Sequence, residues 1–168
     1  MTDQRVFGRI PLFDERSRQY PVKAAIREFA AKRPRSYTWR CTKTLDQGAE
    51  GSCTGFAWAH ELIARPAEVL TVTSAKAQEI YFNAQRLDPW EGGAYSGATP
   101  FYEGSSVLTS AKATMITGLI GGYKWAFGIE DLKLGIGYYG PAVLGINWYD
   151  GMLKPGIHPT ACPTSSAV

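Results

Sequence analysis

Histidine is scarce in this chain: its 168 residues hold two, His60 and His158. Cysteine is nearly as scarce, with Cys41, Cys53 and Cys162 at irregular spacing. An odd set of cysteines without a repeating interval excludes a disulfide framework. It fits a reducing compartment such as the cytoplasm, where a free thiol persists. His158 and Cys162 form one i, i+4 pair that Cys41 could join. Zinc sites normally combine two short spacings, so no metal and no cofactor is expected. No apolar run approaches the ~18 residues that a membrane span requires. The opening MTDQRVFGRIPLFDERSR lacks the apolar core of a secretory signal. Internal repeats are absent as well.

What the chain does have is material for a core. Hydrophobic residues make up 45% of it, with 5 Trp, 9 Tyr and 7 Phe, which excludes a disordered polypeptide. The length suits one domain, or two small lobes on a shared core. The net charge of +3 is unevenly spread. Arg5, Arg9, Arg16, Arg18, Lys23 and Arg27 are among the basic residues near the N-terminus, opposed there by Asp3, Asp14, Glu15 and Glu28. Residues 1–36 therefore read as a basic, extended, solvated arm. Its charges are not interleaved with aromatics as in a dedicated nucleic-acid surface, so no nucleic-acid partner is expected.

Periodicity and punctuation place the elements. Residues 24–33 have a short helical pattern that Pro34 ends. Residues 37–40 suit a short strand, and Asp46 to Gly51 a glycine-containing turn. Cys53 to Ala64 reads as a helix with Ser52 at its N-cap and Pro66 beyond its end. Ser74 to Leu87 is a second helix with a serine cap. Residues 88–104, rich in Gly, Pro and Tyr, form a long loop of the kind that often carries function. Ser106 to Thr117 is a third helix, ended by Gly118, and Ile129 to Tyr138 a fourth. Residues 123–127 and 141–148 alternate as strands do. The tail, residues 154–168, has little to pack.

The chemistry concentrates in LDQGAEGSCTGFAWA, residues 45–59. Cys53 falls at the start of a helix, where unpaired N–H groups and about half a positive charge favour a thiolate. Its own N–H faces an incoming carbonyl oxygen. Gln47, six residues earlier, can supply the second donor of an oxyanion hole. Glu50 sets a carboxylate nearby, which opposes thiolate formation.

Gln47-Gly48-Ala49-Glu50-Gly51-Ser52-Cys53, followed by Phe56 and Trp58, resembles the nucleophile segment of the papain-like cysteine peptidases, and most of all their compact bacterial and bacteriophage members. Tyr37-Thr38-Trp39-Arg40 is similar to the stretch leading into that segment. Tyr102-Glu103-Gly104-Ser105-Ser106 is similar to the glycine-containing segment whose backbone pairs with substrate. Gly140-Pro141-Ala142-Val143 is similar to the opening of a family strand. The resemblance spans residues 37–153. It implies an α+β, papain-like fold: a helical lobe on the Cys53 helix packed against a partial β-lobe. It implies hydrolysis of peptide bonds through an acyl-enzyme, with Cys53 as nucleophile and Gln47 at the oxyanion hole. Gly51, Ser52, Gly104 and Ser105 would line the substrate cleft. It implies a peptide or protein substrate and a place in the cytoplasm, of a phage host for example, or in a virion.

Such chemistry requires an imidazole beside the sulfur. His60 follows Cys53 by seven residues, about 10 Å along a helix, too far to reach it. His158 is the remaining candidate base. It is followed by Pro159-Thr160 instead of the apolar strand that carries the family's histidine, and the Asn-Ser-Trp motif that orients that imidazole is missing. Asn147-Trp148 lies too early to replace it. An early stop or a shifted reading frame is the expectation that these departures raise. Three functions follow from the resemblance: a cysteine peptidase; a non-catalytic relative that binds or assembles, such as a bacteriophage component; or, more narrowly, a peptide-bond transferase. A partial β-lobe would leave strand edges and apolar faces open, to be covered by a partner or a second copy.

Overall fold

A computed structural model describes residues 7–26, 28 and 31–148. Four α-helices organise them: α1 (Cys53–Ile63), α2 (Ser74–Leu87), α3 (Val107–Ile116) and α4 (Ile129–Tyr138). Two short 3-10 turns, Glu15–Gln19 and Val22–Ala24, precede them. Helices α1, α2 and α3 pack on one another around Phe56, Ala59, Leu62, Ile63, Ile80 and Ala111. A smaller cluster joins Val22 and Ile26 to Leu134 of α4.

The expected α+β fold is overturned. Among the described residues there is no β-strand and no sheet, only three isolated bridges: Arg9 with Ser105, Pro21 with Trp125, and Cys41 with Ala64. The reason lies in pairing, not in local preference. A strand is stable only when a ladder partner satisfies its backbone and a second layer covers its apolar face. Residues 123–127 find a single bridging residue. Residues 141–148 have no regular secondary structure and no ladder, and Leu144 and Ile146 stand half exposed. Residues 37–40 likewise form no strand and are tied to the end of α1 by the Arg65 N–H donating to the Arg40 carbonyl at 3.0 Å.

The helices follow their caps. The Thr73 hydroxyl accepts from the Lys76 N–H and starts α2, so the cap is Thr73 and not Ser74. Ser106 accepts from the Thr109 N–H and starts α3. Ser52 occupies the N-cap position of α1, but its hydroxyl makes no cap hydrogen bond. The predicted helix over 24–33 is replaced, where described, by the 3-10 turn Val22–Ala24 and by Glu28 at φ 55°.

Glycine sets how closely α1 approaches α2. A Cβ on Gly55 would lie 2.4 Å from the Ala77 carbonyl oxygen and 2.7 Å from the Tyr81 Cβ. The two helices therefore meet backbone to backbone, which holds the first turn of α1 firmly in place.

On α1, Glu61 has one carboxylate oxygen shut away from solvent with no hydrogen-bond partner. Burial raises its pKa above the usual glutamate range. A raised carboxylate pKa means that the folded state holds the proton more tightly than the unfolded state. Its contribution to stability therefore falls as pH rises from the unfolded value through the folded one. Glu61→Gln is expected to reduce the loss of melting temperature between about pH 5 and about pH 7. Thermal melts of parent and variant at both pH values check this; identical slopes would contradict it.

Candidate functional site

Cys53 is the first residue of α1, as the sequence predicts, and is partly buried. The turn before it is an Asx turn in which the Gly48 N–H donates to the Asp46 carboxylate at 3.0 Å, with Gly48 at φ 66°. Within that turn the Gln47 side-chain amide donates to the Glu50 carbonyl at 2.8 Å. One amide hydrogen is thus directed back into the turn, which fixes the plane of the group. The buried Ser52 hydroxyl has no hydrogen-bond partner.

The Gly104–Ser105 segment faces this turn. The Glu103 carboxylate accepts from the Gly51 N–H at 3.2 Å and ties the two sides together. Behind it stands a clamp on α2 that the sequence reading missed. The Tyr81 hydroxyl accepts from the Gly104 N–H at 2.8 Å. The Gln85 amide nitrogen lies 3.0 Å from the Gly104 carbonyl, 3.2 Å from that of Tyr102 and 3.0 Å from the Tyr81 hydroxyl. The Gln85 side-chain oxygen accepts from the Ala94 N–H at 2.8 Å. One buried glutamine thereby holds the middle and the end of the long loop. Ser105 is anchored further, its hydroxyl lying 3.0 Å from the Asp88 carboxylate, which also accepts from the Tyr102 hydroxyl at 2.8 Å. The available sequence signal was a polar i, i+4 pair, Tyr81 and Gln85, on the same face of α2 as Ala77 and Ala84.

The space over the thiol is filled by residues of the basic arm. Gly8 is buried, and its carbonyl accepts from the Ser105 N–H at 2.8 Å. The Ile10 N–H donates to the Ser105 carbonyl, also at 2.8 Å, completing a parallel bridge. The Arg9 guanidinium donates to the Asn147 side chain at 2.6 Å, and Phe7 stacks on Trp148 at 5.1 Å between ring centroids. Residues 7–10 thus lie between the Gly104–Ser105 segment and residues 147–148.

These surroundings set the thiol's chemistry. Burial pushes the Cys53 thiol above the ordinary cysteine value. The N–H groups of Gly8, Thr54 and Cys53 itself, together with the Arg9 charge, act in the opposite direction and are outweighed. The helix terminus favours the thiolate as expected, but desolvation by the overlying segment and the core decides the sign. Burial thus biases Cys53 towards the protonated thiol.

The candidate bases divide cleanly. His60 is turned to the other end of α1, where its Nε2 accepts from the Leu45 N–H at 2.9 Å; this agrees with its exclusion. His158 lies outside the described residues, as does Cys162. Cys41 is exposed, its Sγ 3.0 Å from the Lys43 carbonyl. Among the described residues no group of three or more His, Cys, Asp or Glu side chains is placed to hold a metal ion. No described helix is long and apolar enough to cross a membrane. Of the sequence-predicted cleft residues, Cys53, Gly51, Ser52, Gly104 and Ser105 gather in one place, with Gln47 in the adjoining turn. No protein-family model, no curated protein and no solved structure matches this chain.

Proposed function

We propose that the Cys53 cleft is a peptide-binding thiol site of cysteine-peptidase lineage. Cys53 is the atom donor that attacks a peptide carbonyl, and its own N–H and the Gln47 amide face the developing oxyanion. The supporting observation is convergence. Gly51–Cys53 and Gly104–Ser105 are about fifty residues apart in sequence, yet they lie side by side, joined by the Gly51 to Glu103 hydrogen bond; we read them as the two walls of one cleft. Extended backbone hydrogen-bonds along one wall, at Ser105, as a peptide substrate would.

In the proposed reaction the sulfur adds to the carbonyl carbon, the amine leaves with a proton, and water then releases the acyl group. The leaving amine must take its proton from an acid, and the thiol must lose one first. No described side chain beside Cys53 is an imidazole, so this step depends on His158 or on a histidine from another chain. The raised thiol pKa favours a second reading, in which the same cleft binds peptide without turnover. The exposed Leu144, Ile146 and Trp148 suit such a binding or assembly role.

A peptidyl chloromethyl ketone separates these readings from an idle thiol. In an Ile10→Pro chain, where one bond holding residues 7–10 over the thiol is deleted, labelling of Cys53 is expected to exceed that of Cys41 by about tenfold relative to labelling by plain chloroacetamide, since bound peptide raises the local concentration of the electrophile. Peptide mass spectrometry reads both sites. No advantage from the peptide would overturn the proposal. Turnover of a peptide amide that is lost in Cys53→Ala would favour the peptidase; peptide binding without turnover would favour the binding protein.

A further inference from the structure

The residue that crosses the thiol is glycine, and the cleft leaves no room for any other. A Cβ on Gly8 would stand 1.7 Å from the Gly51 carbonyl oxygen and 2.9 Å from the Gly104 Cα. All of these obstacles are backbone atoms, so none can rotate aside. From the opposite wall, a Cβ on Gly104 would stand 2.6 Å from the Gly8 carbonyl oxygen. Three glycines from three distant segments thus meet face to face beside Cys53. Gly104 holds φ 106°, which a side chain would also disfavour.

The flanking positions are held differently. Arg9 and Phe7 reach outward, to Asn147 and Trp148. The ladder bonds at Ser105 engage backbone alone and are indifferent to side chains. Residue identity is therefore read at one position, and there by exclusion of every Cβ.

We propose that the Cys53 cleft binds an extended peptide carrying glycine where it crosses the thiol, and that residues 7–10 of this chain are its own built-in occupant. This rests on the reading of the cleft as a peptide site. It adds the substrate class, an extended peptide with glycine at the crossing position, and a mode of control: the cleft opens to a second peptide only when residues 7–10 leave it. A free segment has to displace a tethered one, whose effective concentration is high, so the resting protein is closed.

The test uses the full chain and the rate of Cys53 alkylation by iodoacetamide, with Cys41 in the same sample as the internal reference. Gly8→Val is expected to raise the Cys53 rate about tenfold or more while the Cys41 rate stays unchanged, because two ladder bonds and the overlying backbone are lost together. Added acetyl-Phe-Gly-Arg-Ile-amide is expected to restore protection, whereas acetyl-Phe-Val-Arg-Ile-amide is not. Ile10→Pro deletes one ladder N–H without adding bulk at the thiol, and is expected to raise the rate a few-fold. It gives a reading even where Gly8→Val perturbs folding. Parent-like rates in both variants, or equal protection by the two peptides, would overturn the proposal. Neither arm requires turnover. Glycine-selective protection with no ketone labelling would sink the nucleophile reading alone; ketone labelling of Cys53 without glycine selectivity would sink this one alone.

Discussion

Gly55→Leu is expected to unfold this protein or to leave it without a cooperative transition. Two effects compete. Replacing a helical glycine by leucine favours the helix by up to about 1 kcal/mol. Against that, the first added carbon would already lie 2.4 Å from the Ala77 carbonyl oxygen and 2.7 Å from the Tyr81 Cβ. Forcing bulk into a packed contact typically costs 1–3 kcal/mol, and more where the obstacle is backbone. The steric effect wins, and α1 and α2 must separate along the surface that buries Ala59, Ile80 and Tyr81. A loss of about 3 kcal/mol or more is therefore expected in urea unfolding, a large part of a small domain's stability. Gly121→Ala is the control: nothing lies within 4 Å of its added carbon, and that glycine has no positive φ to lose. It should be neutral. A Gly55→Leu protein as stable as the parent would show that α1 and α2 do not meet as described.

The second large effect is expected at Gln85. Gln85→Leu preserves volume but strands the Gly104 and Tyr102 carbonyls and the Ala94 N–H, which all depend on this one amide. Each buried polar group left without a partner costs about 1–3 kcal/mol. The gain from burying a leucine recovers part of that, about 1.5–3 kcal/mol at most. A net loss of about 3 kcal/mol follows, with a functional signature that a simple core defect would lack. The Gly104–Ser105 wall loses its anchor, so the ladder to residues 8–10 weakens and Cys53 becomes more accessible to alkylation. Tyr81→Phe removes one acceptor from the Gly104 N–H and is expected to show the same signature at about half the cost. Chemical unfolding and Cys53 alkylation, measured on the same preparations, check both variants. Loss of stability without a change at Cys53 would place Gln85 outside the cleft's support.

What could be read from the sequence was what is local. The extents of α1, α2 and α4 follow from apolar spacing and from the residues that cap or break a helix, and Gly48 marks its turn by the same logic. The position of Cys53 at the start of α1 was legible, because Gly51, Ser52 and Cys53 sit together on one short segment. What escaped depends on contacts between distant segments. Alternation over residues 141–148 records a β preference, but whether a ladder forms depends on a second strand, and none is present among the described residues. Gly8 looked like an ordinary residue of a basic arm; its role arises only when the chain returns to Ser105. The sequence led to a thiolate favoured by the helix terminus, but the sign of the Cys53 pKa shift turned on burial, which is tertiary and outweighs the local backbone N–H groups. Gln85 was hidden because a glutamine on a helix is usually solvated, and only its place among Ala77, Tyr81 and Ala84 sets it apart.

The central proposal is that Cys53 is closed in a peptide cleft, with burial biasing it towards the protonated thiol. The pH dependence of its alkylation, resolved from Cys41 and Cys162 by peptide mass spectrometry, tests that most directly. The account predicts an inflection above the ordinary cysteine value of about 8.5, and a rate below that of Cys41. An inflection near pH ~4 would reveal a thiolate–imidazolium pair in the resting protein. It would contradict the closed, protonated site and establish an assembled catalytic centre instead.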